Sequence, residues 1–63
     1  MPIVQVNMMS GRTAQQKEAL IREVTEAVMD AIAAPRENVT VIIHELPEEA
    51  WGVGGLSAAK QGR

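Results

Sequence analysis

The order of three segments constrains this chain most: a strand-like run, one long amphipathic helix, then a second strand-like run. Residues 3–9 alternate, with Val4, Val6 and Met8 on one face and Ile3, Gln5, Asn7 and Met9 on the other. After a break at Ser10-Gly11-Arg12, Thr13 and Gln16 have the spacing of a helix-capping box. Leu20, Ile21, Val24, Ala27, Val28, Ala31 and Ile32 then recur at helical spacing, which predicts a helix over about residues 14–33. Pro35 stops it, because proline cannot continue the hydrogen-bond ladder and disfavours helix at the residue before it. Residues 39–45 are β-branched and, over Val41 to Ile43, apolar on both faces, as in a strand at the centre of a sheet. Short connections between these segments predict an α+β fold, a right-handed β-α-β unit with parallel strands. A single helix covers only one face of that sheet, so the other face requires a neighbouring subunit.

Size points the same way. The chain has 63 residues, read as one domain over 1–63, and a core this small leaves much apolar surface uncovered. There is no cysteine for a disulfide framework, and one histidine without cysteine makes a structural zinc site implausible. Self-association is the remaining way to stabilise a scaffold of this size. Hydrophobic residues make up 46% and aromatic ones 2%, so the surface to be buried is aliphatic. A net charge of −2 and one tryptophan supply neither a basic field nor a stacking platform for nucleic acid. No apolar run nears the roughly 20 residues that span a bilayer, and residues 1–15 lack a signal-peptide pattern. The expected location is the cytoplasm.

Pro2 is the first candidate for chemistry. Removal of Met1, usual before a small second residue, converts Pro2 from an amide into a free secondary amine fixed to the start of a strand. Such a group is both base and nucleophile. A proline also starts an edge strand without cost, since its missing N–H is not needed there. Arg12 follows the first strand beside a helix N-terminus, a position suited to a carboxylate and equally to a solvated loop side chain. Trp51, the only aromatic residue, could line an apolar pocket or pack at a subunit interface.

Other features read as structure. His44 lacks metal partners, and Glu48 and Glu49, being adjacent, diverge and read as a solvated turn rather than an acid–base pair. Met8, Met9 and Met29 read as aliphatic packing, Met9 also as a candidate substrate-binding residue. Residues 48–56, with Gly52, Gly54 and Gly55, predict a small hairpin or arm, and residues 57–63 a frayed turn or an extension that grips a partner. The glycines lack the spacing and strand–helix context of a dinucleotide fingerprint.

Taken together, Met1-Pro2-Ile3, Gly11-Arg12-Thr13, Gln16-Lys17, residues 20–27, Ala34-Pro35, Val41-Ile42-Ile43 and Trp51-Gly52-Val53-Gly54-Gly55 closely resemble the 4-oxalocrotonate tautomerase family along the whole chain. The resemblance implies a β-α-β protomer with a C-terminal hairpin, paired into dimers and assembled as a trimer of dimers, with active sites that draw on neighbouring subunits. It implies a cofactor-free, metal-free isomerase in which the terminal proline moves a proton within a small 2-hydroxydienoate or enol acid. It gives Arg12 the role of gripping a distal substrate carboxylate and Trp51 that of lining the pocket. The best-studied relatives carry a second arginine near the start of strand two, where this chain has Thr40. Arg36, in the preceding loop, or a partner chain in a hetero-oligomer is the candidate replacement. The alternatives are a non-catalytic assembly subunit of the same fold and a proline-dependent hydratase, dehalogenase or decarboxylase.

The proton chemistry sets a requirement. A terminal amine has an ordinary pKa of about 7.7–8.0 and is mostly protonated at neutral pH, and in that form it is no base. Burial beside apolar groups and the positive charge of Arg12 would each disfavour the ammonium and lower that value.

Overall fold

The computed structural model describes residues 1–62; Arg63, the last residue of the expected tail, lies outside the described residues. Strand β1 (Ile3–Met9) is followed by helix α1 (Ala14–Ile32), a 3₁₀ turn at Arg36–Asn38 and strand β2 (Thr40–Leu46). A second 3₁₀ turn at Glu48–Ala50 leads into β3 (Gly52–Val53), β4 (Leu56–Ser57) and a short helix, α2 (Ala58–Gln61). Strands β1 and β2 are parallel and in register from Ile3 opposite Thr40 to Met9 opposite Leu46, as the β-α-β reading expects.

Local chemistry explains the boundaries. The Gln16 N–H donates to Thr13 Oγ1 at 3.0 Å and the Thr13 N–H to Gln16 Oε1 at 2.9 Å, the reciprocal capping box that the sequence spacing suggests. At the other end Ala33 takes the left-handed conformation (φ 56°), ending α1 before Pro35. The second strand begins one residue later than its β-branched run, because the Val39 N–H is used by the Arg36 carbonyl and Thr40 is the first ladder residue.

Val4, Val6 and Met8 of β1 and Val41 and Ile43 of β2 are half-buried under α1, while Ile3, Gln5, Thr40, Ile42 and His44 lie exposed on the opposite face. The apolar stripe of the helix is only partly used: Leu20, Val24 and Val28 are half-buried, but Ile21 and Ile32 are exposed. The reason is width. Two strands set about 5 Å apart are narrower than a helix about 10 Å across, so the stripe overhangs the ribbon. Thr25, buried in the helix, satisfies its hydroxyl by donating to the Ile21 carbonyl at 2.7 Å.

The C-terminal arm is a hairpin as expected. Gly54 and Gly55 form its two-residue turn with φ of 64° and 87°, values that suit glycine and match the twist of a tight hairpin. The expected frayed tail is instead the helix α2, capped by the Ser57 hydroxyl, which accepts from the Lys60 N–H at 3.3 Å. The Gln61 amide ties it to the hairpin by donating to the Val53 and Leu56 carbonyls at 2.9 and 2.8 Å. Within the arm Ala58 is buried, yet Val53 and Leu56 are exposed.

The protomer is extended, 42 × 24 × 14 Å, with a Cα radius of gyration of 14.5 Å. A compact chain of this length would have about 11 Å. Among the described residues only Ala58 and Thr25 are buried, so the aliphatic core that folding requires is not contained in one chain.

Candidate active site

The parallel ladder sets the candidate residues at two ends of one sheet. Pro2 is at the first end, half-buried, its carbonyl accepting from the Thr40 N–H at 3.0 Å. That bond fixes the backbone of Pro2, and therefore its nitrogen, against the start of β2. Met1 before it is 77% exposed. The turn carrying Arg36 precedes Thr40 and so stands at this same end. The Arg36 guanidinium is engaged by Glu26 Oε1 of α1, in an exposed ion pair.

Arg12 is at the opposite end, in the connection that leaves β1. The Ser10 N–H donates to the Leu46 carbonyl at 2.9 Å, extending the ladder to the edge of this loop, and Gly11 turns it with φ 129°. The capping box holds the far side, and Lys17 Nζ meets Glu45 Oε1 at 2.9 Å, joining the first turns of α1 to the end of β2. Arg12 is exposed and, among the described residues, makes no ion pair. It borders an open cleft of about 540 Å³ whose walls include Met8, Met9, Pro47, Glu48 and Glu49. A smaller recess of about 240 Å³ lies between Met8, Arg12, Gln16, Lys17 and Leu20.

Of the residues singled out in the sequence, the protomer therefore brings together Arg12 and Met9. Pro2 and Arg36 are at the other end, separated from them by the seven residues of β1, more than about 20 Å at strand spacing. No small acid reaches from one to the other. Trp51 begins the arm beyond the second 3₁₀ turn, half-buried, its carbonyl accepting from the Ala58 N–H at 2.6 Å, and it does not line the Arg12 cleft. Glu48 and Glu49, read from sequence as a solvated turn, do line it. Nothing in their spacing signals this, since it depends on β2 ending beside β1.

The protomer thus carries an anchored strand-starting proline at one end and, at the other, an arginine over a cleft with no ion pair among the described residues. Residues 2–61 match the family described as tautomerase enzyme, and the chain belongs to that family, whose members are isomerases. The chain is similar to the 2-hydroxymuconate tautomerase of Comamonas testosteroni, 48% identical over 63 residues and all of both chains. It is also similar to a solved 4-oxalocrotonate tautomerase isozyme of Methylibium petroleiphilum, with a TM-score of 0.94 and 52% identity over 98% of this chain and 100% of that one. A heterohexameric 4-oxalocrotonate tautomerase from Chloroflexus aurantiacus matches with a TM-score of 0.90 and 37% identity, over 95% of this chain and 97% of that one. The α+β architecture, tautomerase activity and isomerase class expected from the resemblance are thus all supported. Among the described residues no helix is long and apolar enough to cross a membrane.

Proposed function

We propose that this chain, as a single domain in a cytoplasmic hexamer, catalyses proton transfer in a small 2-hydroxydienoate or related enol acid, with Pro2 of one protomer and Arg12 of another forming each site. The observation that carries this reading is the separation of the two residues inside one protomer, combined with apolar surface that only neighbouring copies can cover. The relatives named for 2-hydroxymuconate and 4-oxalocrotonate support the substrate class, and the hexameric relative supports the assembly.

In this mechanism the neutral Pro2 amine, freed by removal of the exposed Met1, takes the proton of the enol hydroxyl. The oxygen electrons become the carbonyl π bond, the carbon–carbon π electrons shift along the dienol, and the resulting ammonium returns the proton to carbon. Arg12 holds a carboxylate by charge-assisted hydrogen bonds and fixes the distance over which the proton moves. Trp51, Met9 and the surrounding aliphatic groups limit water, which favours the neutral amine. Arg36 stands at Pro2's end and leaves Glu26 when a substrate carbonyl draws it; an exposed pair of this kind is worth less than about 1 kcal/mol. The reading needs no metal or cofactor.

The test is Pro2→Ala in protein shown by intact mass to lack Met1. Loss of a general base predicts a fall in kcat of at least about 10²-fold with assembly intact. For the wild type, kcat/KM should fall about tenfold per pH unit below the amine's pKa, because protonation removes the base. Full activity in protein that retains Met1 would contradict the reading, and intact assembly without any turnover would favour a purely structural subunit.

A further inference from the structure

The arm that begins at Trp51 has little apolar burial to hold it in shape. Its strands, β3 (Gly52–Val53) and β4 (Leu56–Ser57), are two residues each, and a two-stranded hairpin is marginal at best by itself. Val53 and Leu56, its large apolar side chains, are 46% and 53% exposed, so they contribute little burial within the protomer. Gly52, Gly54 and Gly55 add to the conformational entropy that ordering removes.

Hydrogen bonds to α2 offset this. At the root of the arm the buried Ala58 donates its N–H to the Trp51 carbonyl at 2.6 Å. At the tip one side chain reaches both strands. The half-buried Gln61 donates from Nε2 to the Val53 carbonyl at 2.9 Å and to the Leu56 carbonyl at 2.8 Å, which matches the two hydrogens of one amide. Val53 and Leu56 flank the Gly54-Gly55 turn, so this amide closes the hairpin across its strands. Among the described residues no other side chain of α2 donates to the hairpin.

We propose that Gln61 is a positioning residue, whose amide staples the arm so that Trp51 is presented in a fixed place to the pocket formed between protomers. This rests on the tautomerase reading, in which Trp51 lines that pocket, and adds the residue that orders it. Gln61 touches neither substrate nor Pro2. Its effect runs through the arm, so it should show in substrate binding more than in proton transfer.

Trp51 is the only tryptophan of the chain, so its emission reports on the arm alone. Gln61→Met keeps the side-chain length and helix propensity but has no N–H to donate, and Gln61→Lys restores donors at similar reach. In the oligomeric protein lacking Met1, Gln61→Met should shift Trp51 emission to the red and increase its quenching by acrylamide. KM for 2-hydroxymuconate should rise about three- to tenfold, the fold-change of about one net hydrogen bond, with kcat and particle size nearly unchanged. Gln61→Lys should return emission and KM most of the way to wild type, a rescue that loss of packing alone would not show. In the unaltered wild type, muconate, a dicarboxylate without the enol hydroxyl, should change Trp51 emission saturably; this readout needs no variant to fold. A Gln61→Met protein with unchanged emission and KM, one whose KM rises only because its particles dissociate, or a wild type whose emission ignores muconate while it turns over the enol overturns the proposal and leaves the tautomerase reading in place. Failure of the wild type to turn over the enol overturns both.

Discussion

The two ends of the β1–β2 ribbon are built differently. At the Pro2 end the backbone is pinned, Pro2 carbonyl to Thr40 N–H, and the nearby arginine is engaged by Glu26. At the Arg12 end the loop is braced by the Ser10–Leu46 hydrogen bond, the capping box and the Lys17–Glu45 pair, while the arginine itself, over a cleft, has no ion pair among the described residues. In the proposed reading one end offers the base, near an arginine already held in an ion pair, and the other offers an arginine over a cleft. A parallel β-α-β unit sends its strand starts and strand ends to opposite ends of the sheet, so the proposed pairing of Pro2 with Arg12 needs two protomers. On that proposal assembly is part of the chemistry as well as of stability.

The largest effect should come from breaking the assembly that brings unlike ends together. Ile42, on the uncovered sheet face across from Gln5, is solvent-exposed in a lone protomer, so Ile42→Asp would matter little to that protomer. In the assembly it would bury a charge at a cost of several kcal/mol, and the expected result is smaller particles by light scattering and activity reduced by more than about 10²-fold. A fully active Ile42→Asp oligomer would mean that this face is not an interface. Next in size, Arg12→Ala should raise KM for a carboxylate substrate by about ten- to a hundredfold, the range for a charge-assisted hydrogen bond, with a smaller change in kcat. Steady-state kinetics on one enol separates the two parameters. Smallest is Arg36→Gln. Losing its exposed pair with Glu26 should hardly move Tm, and KM should rise about threefold if the side chain turns to the substrate; an unchanged KM would remove Arg36 from the site.

Much of the fold was legible because the deciding interactions are local. Thr13 and Gln16 announce the start of α1, Pro35 its end, and the paired glycines at 54 and 55 the hairpin turn. The short helix α2 was not, since four residues show no periodicity; its one signal was Ser57 in a capping position. Pro2 and Arg12 stood out by residue type and position, yet their separation follows only from the ladder register. Two further facts needed three dimensions: Arg36 meets a carboxylate ten residues earlier in the chain, and the Glu48–Glu49 turn folds onto the Arg12 cleft. Charges distant in sequence carry no local pattern that betrays their pairing.

The claim that Pro2 and Arg12 of different protomers form one site is tested most directly by complementation. Pro2→Ala and Arg12→Ala proteins, each severely impaired alone, are unfolded together and reassembled as a mixture. If each site takes its proline and its arginine from different copies, random mixing should restore about one quarter of the wild-type sites, and activity with them. If both residues act within the same protomer, the mixture should be no more active than its parents, and that result would contradict the account.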